Sequence, residues 1–182
     1  MHELFLIRHG EYLEGLEDGG LSEEGIVNVR KLGDKIGYIL GECAKTMREK
    51  VYTPESSQIP ENYFKRRFHS SSESRRAIET SNIIADACLN NKSLSSSCIF
   101  NGTDESLYHR SSSNIIKMLD DFEKPFSIGI VVGHNPKIAE VAKYFKDKKD
   151  FQYEGAEEFL EWTPNAKGYR VSYLEKSVTY LD

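Results

Sequence analysis

Two runs of the chain, "ELFLIR" at residues 3–8 and "IGIVV" at residues 128–132, carry almost no polar residue to alternate with the apolar ones. Successive strand residues point to opposite faces of a sheet, so a strand without alternation is buried on both faces. Such strands need a layer of helices on each side. The rest of the chain supplies candidates for those helices. After Ser22, a suitable N-cap with Glu23 and Glu24 in the first turn, Val29, Leu32, Ile36 and Ile39 fall on one helical face. Ala77, Ser81, Ile84, Ala85 and Cys88 do the same over residues 73–90, and "SSSNIIKMLDDF" reads as a Ser-capped helix with Ile115 or Ile116, Leu119 and Phe122 inward. Asn135 is the expected N-cap of a helix with Pro136 in its first position and Ile138, Val141, Ala142 and Phe145 on its buried face.

Short strands are expected at residues 67–72 and 97–101, and two more, "EEFLEW" and "GYRVSYL", around a turn at "TPNAKG". Strands that alternate with helices predict an α/β fold. The expected architecture is a three-layer sandwich with a mostly parallel central sheet and helices on both faces. Nothing in the composition divides residues 1–182 into more than one domain. Residues 41–66, with two prolines and little periodicity, are expected to form a long surface loop or flap.

A formal charge of −5 argues against a surface that coats nucleic acid or an anionic membrane. No apolar run reaches the roughly 20 residues that span a bilayer, and no secretory leader is expected. The three cysteines, Cys43, Cys88 and Cys98, have no CxxC spacing and fit reduced thiols, so a cytoplasmic location is expected. His2 and His69 read as structural. The basic "FKRRF" at residues 64–68 reads as a salt-bridged strand entrance rather than a nucleic-acid site.

In a parallel sheet, ligands bind beyond the carboxyl ends of the strands. That rule gathers "RHGE" after the first strand, "SSSESRR" after the second and "GHNP" after the fourth. Arg8, His9, Arg76 and His134 then meet in an otherwise acidic chain. Arginine grips phosphate oxygens with two parallel N–H donors. Ser71, Ser72 and the helix start after them add further donors, and Gly10 and Gly133 are expected to let a ligand approach the main chain. Two histidines without clustered Asp, Glu or Cys make a poor zinc set, so a phosphate pocket with no metal and no cofactor is expected. Arg75 reads as a solvated helix residue.

"LFLIRHGE", "SSESRRAIET" and "VVGHNP" resemble the three signature segments of the histidine phosphatase (phosphoglycerate mutase-like) superfamily. "LSEEG" and "ESLYHRSSSNIIKML" extend the match, which looks most like the small SixA-type phosphohistidine phosphatases and covers most of residues 3–145. The resemblance implies that His9 is a nucleophile that becomes a phosphohistidine, and that Arg8, Arg76 and His134 hold the three equatorial phosphate oxygens. It implies a phosphorylated protein or a small-molecule phosphate as partner. Where the superfamily has Ser-Pro, this chain has Ser72-Glu73. Glu105 is the candidate general acid, with Asp104 or Glu11 as substitutes. Glu11, Tyr108, His109 and Asn135 are candidates to line the pocket. An alkoxide leaves badly without a proton donor, whereas the imidazole of a phosphohistidine leaves more readily, which favours a phosphohistidine protein phosphatase. The alternatives are a small-molecule phosphomonoesterase or mutase, and a non-catalytic phosphate-binding module.

Overall fold

The computed structural model of the chain describes residues 3–15, 18–51, 67–90, 100–103, 107, 111–121, 128–155, 159 and 162–182. Its elements are β1 (Glu3–Arg8), α1 (Glu23–Val51), β2 (Arg67–Ser71), α2 (Arg75–Asn90), β3 (Phe100–Thr103), α3 (Ser112–Asp121), β4 (Ile128–Gly133), α4 (Lys137–Lys148), β5 (Gln152–Glu154), β6 (Gly168–Ser172) and β7 (Ser177–Leu181). The strands form one sheet in the order β3-β2-β4-β1-β6-β7-β5. The pairs β2–β3, β2–β4, β1–β4 and β5–β7 are parallel, while β6 runs antiparallel to β1 and β7.

The unalternated run in β1 has the physical cause expected of it. Phe5 and Ile7 point into one core with Val29, Leu32, Ile36 and Leu40 of α1 and Ala77, Ile84 and Cys88 of α2. Leu4 and Leu6 point into the other, with Ile115 and Leu119 of α3 and Ile138, Val141, Ala142 and Phe145 of α4. All four β1 side chains are fully buried. At about 25 cal/mol per Å² of apolar surface, burying such a side chain contributes roughly 1.5–3 kcal/mol. Ser22 caps α1 as expected, its hydroxyl accepting the Gly25 N–H at 3.0 Å.

Three expectations change. Residues 41–51 continue α1 rather than opening a loop, because Leu40 and the half-buried Cys43 prolong the helix's inward face past the last residue read from the periodicity. Residues 52–66 lie outside the described residues. In the tail, β6 stops at Ser172, and a turn at residues 173–176 sends the chain back as β7, so the hairpin partner is "SVTYL". Phe159 and Trp162, the described residues of "EEFLEW", are in no strand; Phe159 stacks its ring on Tyr169 at 4.9 Å. Of the strand expected at residues 97–101, the described part begins at Phe100 and runs on to Thr103.

At the amino end of β1, remote from the rim that holds the motifs, Glu3 is almost wholly buried. It accepts from Arg170 Nε at 2.7 Å and Nη2 at 3.1 Å, and from the Ser172 hydroxyl at 3.0 Å. A buried carboxylate left without its partner is costly, whereas replacing both partners by apolar groups is often tolerated. Arg170→Met is therefore expected to lower unfolding free energy by about 3–5 kcal/mol in urea titrations, and Glu3→Met with Arg170→Met to recover most of the loss.

Candidate active site

β1, β4 and β2 are neighbours and run in the same direction, so their carboxyl ends open on one rim. Arg8 lies beside Gly133, and Ser71 beside Val132. The three motifs therefore meet because the sheet places β4 between the first two strands, although they are far apart in sequence.

His9 follows β1 and is 4% exposed. Its own N–H donates to the Gly133 carbonyl at 3.1 Å and its carbonyl accepts from Ala166 N–H at 3.1 Å, so its backbone is fixed on both sides. The ring Nδ1 lies 2.7 Å from the Gly10 carbonyl. A carbonyl can only accept, so Nδ1 carries the proton and Nε2 presents a lone pair. Burial lowers the His9 pKa to about 4; the Gly10 hydrogen bond opposes the shift, and Arg76 and Arg8 add to it. The imidazole is neutral at pH 7, the form a nucleophile requires.

The His134 ring sits 4.8 Å from that of His9. Its Nε2 meets the hydroxyls of Ser72 at 2.8 Å and Ser74 at 3.2 Å. Burial, then the neighbouring His9, Arg76, Lys137 and Arg8, bring its pKa down to about 3. Arg8 donates from Nη1 to the Thr163 carbonyl at 2.8 Å, and burial lowers its pKa. The Nε atoms of Arg8 and Arg76 are buried and have no acceptor among the described residues. Two buried guanidinium donors without acceptors are an unfavourable arrangement unless an anion completes it.

The glycines have a packing role. A Cβ at Gly10 would come within 2.6 Å of Val29 Cγ2 and 2.9 Å of Leu21 Cδ2, and one at Gly133 within 3.2 Å of Ile138 Cδ1. Both let side chains of other elements pack closely against the strand ends. Gly10 serves the site through its peptide: its carbonyl holds His9, and its N–H donates to Thr80 Oγ1 at 3.0 Å. Thr80 in turn donates to the Arg76 carbonyl at 2.7 Å, tying the first motif to the second.

Asn135 is not an N-cap. Pro136 holds the cap position of α4 without a side-chain cap bond. The Asn135 amide instead grips the loop before β6: Nδ2 donates to the Thr163 carbonyl at 2.7 Å, and Oδ1 accepts the Thr163 N–H at 3.2 Å. That two-point grip satisfies both backbone polar groups of one loop residue, which a cap bond would not. Glu11 is exposed, and its carboxylate accepts from the Ser22 hydroxyl at 3.1 Å, next to the α1 cap. Ser71 ends β2, buried, and Ser72 is buried against His134. Arg75 pairs with Glu79 at 2.8 Å on the solvent side, as expected of a surface residue. His69 is buried with Nε2 2.8 Å from the Ser81 hydroxyl, a structural role. Asp104, Glu105, Tyr108, His109, His2 and Cys98 lie outside the described residues, as do residues 64–66 of "FKRRF".

No protein-family model and no curated protein sequence matches the chain. Solved structures do match along nearly its full length. A SixA-type protein from Agrobacterium tumefaciens aligns over 100% of this chain and 96% of its own at a TM-score of 0.60 and 14% identity. The protein histidine phosphatase SixA complexed with tungstate aligns over 98% and 93% at 0.60 and 15% identity. Phosphoglycerate mutase from Bacillus anthracis aligns over 98% and 91% at 0.57 and 15% identity. The chain has the histidine phosphatase (phosphoglycerate mutase-like) fold.

Within this fold, the sequence motifs left several site residues unseen. Ser74 and Thr80 sit inside the second motif but became visible only through their bonds to His134 and Gly10. Tyr12 sets its ring 4.5 Å from Arg76 Cζ and edge-on to His9 at 5.6 Å. Trp162 and Thr163 arrive from a segment read only as strand and turn. An aromatic two residues beyond "HG", and the single tryptophan of the chain, were the available signals.

Because the folded state holds His9 and His134 neutral, it binds fewer protons than the unfolded chain once pH falls below about 6.5. Their contribution to stability is complete above that value and is lost as pH falls towards about 4 for His9 and 3 for His134. Proton NMR titration of the imidazole Cε1–H signals is expected to show both rings neutral at pH 5.5, with midpoints near those values. Midpoints near 6.5 would show that the rings are not desolvated.

Proposed function

We propose that the chain is a phosphohydrolase that works through a phosphohistidine on His9, and that its substrate is a phosphohistidine, carried on a protein or free. The observation that carries this reading is the His9 tautomer: the Gly10 carbonyl holds Nδ1–H, so Nε2 keeps its lone pair on a ring near two arginines whose buried Nε donors have no acceptor among the described residues. A phosphoryl group supplies what both lack, an electrophile for Nε2 and oxygens for the guanidiniums. The fold neighbours include phosphatases and a mutase, and one of them is complexed with tungstate, an oxyanion.

In the first step, the His9 Nε2 lone pair forms a bond to phosphorus as the bond to the leaving group breaks. The displaced electron pair stays on the leaving atom, an imidazole nitrogen when the substrate is phosphohistidine. Arg8 and Arg76 offset the charge on the equatorial oxygens, and His134, with Ser72 and Ser74 at its Nε2, adds a polar wall on the third side. In the second step, water attacks phosphorus and the bond to Nε2 breaks, returning neutral His9 and releasing phosphate. No step calls for a metal ion. An imidazole leaves with little help, so this substrate places the smallest demand on a general acid. Glu105 remains the candidate acid should an ester be used. The soluble composition and reduced cysteines fit work in the cytoplasm.

Incubation with a labelled aryl phosphate and with a phosphohistidine protein, followed by an alkaline quench, is expected to leave alkali-stable, acid-labile label on His9. His9→Asn should abolish the label and lower turnover by about three orders of magnitude or more. Arg76→Lys, which loses the bidentate fork, should cost about a hundredfold in kcat. Phosphate binding with no label and no turnover would make the chain a phosphate-binding module. Preference for a sugar or glycerate phosphate, with strong dependence on Glu105, would make it a small-molecule phosphatase or mutase.

A further inference from the structure

Trp162 leaves most of its indole uncovered. It is 62% exposed, while the other aromatic rings of the tail, such as Tyr169, are built into the core. Its ring lies 5.5 Å from Arg8 Cζ, beside one of the two guanidiniums of the proposed phosphate site. The backbone that carries it is as firmly held as the site itself. Thr163, the next residue, is gripped through both peptide groups by Asn135, and its carbonyl also takes the Arg8 guanidinium. Further along, Ala166, with a positive φ of 52°, donates to the His9 carbonyl, and the Lys167 carbonyl accepts the Arg8 N–H. A single exposed tryptophan needs no explanation by itself. One whose next residue, Thr163, is held by the Asn135 and Arg8 side chains is presented rather than merely exposed.

Tyr12 borders the same pocket, but its ring already meets Arg76 and His9. Trp162 has most of its surface left over. Phosphate oxygens have no use for that surface, since they are bound through N–H edges. A flat, π-bearing group attached to the phosphorus does, because offset stacking and the neighbouring guanidinium both favour it.

We propose that Trp162 is a specificity-determining residue that stacks on a planar leaving group, the imidazole of a phosphohistidine, and so selects phosphorylated aromatic rings over phosphates borne on small non-aromatic groups. This rests on the phosphohydrolase reading of the same pocket.

The test compares free phosphohistidine with phosphoramidate, which has the same kind of P–N bond and no ring. Trp162→Ala is expected to lower the ratio of their kcat/KM values about fivefold or more, and Trp162→Phe to keep most of it. An equal loss on both substrates would overturn the proposal and leave Trp162 as a support for Arg8. A loss confined to a phosphohistidine protein, and absent with free phosphohistidine, would overturn it in favour of a protein-docking surface. Because Trp162 is the only tryptophan, its fluorescence reports on the site without turnover. In His9→Asn, phosphohistidine is expected to quench it saturably and phosphoramidate much less. Equal responses would sink the stacking role even if the wild type is active. Ring-selective quenching with an inactive wild type would sink the phosphohydrolase reading and leave the ring-binding role standing.

Discussion

Everything in the structure leans on the two-sided burial of β1. It pairs with β4 on one side and β6 on the other, and its four central side chains divide evenly between two cores. A strand so enclosed has almost no freedom at its end. Arg8 and His9, the next residues outward, inherit that rigidity. The hydrogen bonds that Arg8 and His9 donate to the Lys167 and Gly133 carbonyls, and that the His9 carbonyl accepts from Ala166, extend the strand's restraint one residue past its last pair. A reacting group held in one fixed position gains most from such placement.

Rigidity brings an electrostatic difficulty. Two guanidiniums and two imidazoles share a small, poorly solvated space, and no carboxylate neutralises them among the described residues that touch the rings. The structure answers by keeping both imidazoles uncharged and setting the arginines against aromatic faces, Arg8 by Trp162 and Arg76 by Tyr12. The positive charge that remains makes the site suited to an anion. The same burial that lowers the histidine pKa values therefore preserves the Nε2 lone pair and strengthens any contact with phosphate oxygens.

Much of this was legible in the chain. The apolar runs gave the central strands, the 3–4 spacing gave the inward faces of the helices, and the three motifs marked the rim. The misreadings have a common source. Asn135 was read as a cap because a cap bond is local, whereas its real partner, Thr163, is 28 residues away. The close packing of Val29 on Gly10 and of Ile138 on Gly133 left no local signal, because those neighbours belong to other elements. The end of α1 was missed because a pattern of inward residues can lose its signal before the helix stops. In each case the deciding contact was a tertiary one.

The sequence by itself determined which strands are central, which helices cover them and which polar residues stand at the strand ends, because these follow from periodicity along a single element. Only the tertiary structure decided the His9 tautomer, the bond chain from Gly10 through Thr80 to Arg76, and the arrival of Trp162 and Thr163 beside Arg8. Those depend on strand order and on where a loop from the far end of the chain is fastened. Neither leaves a trace in local pattern, since hydrogen bonds between distant residues are specified by the packing that brings them together.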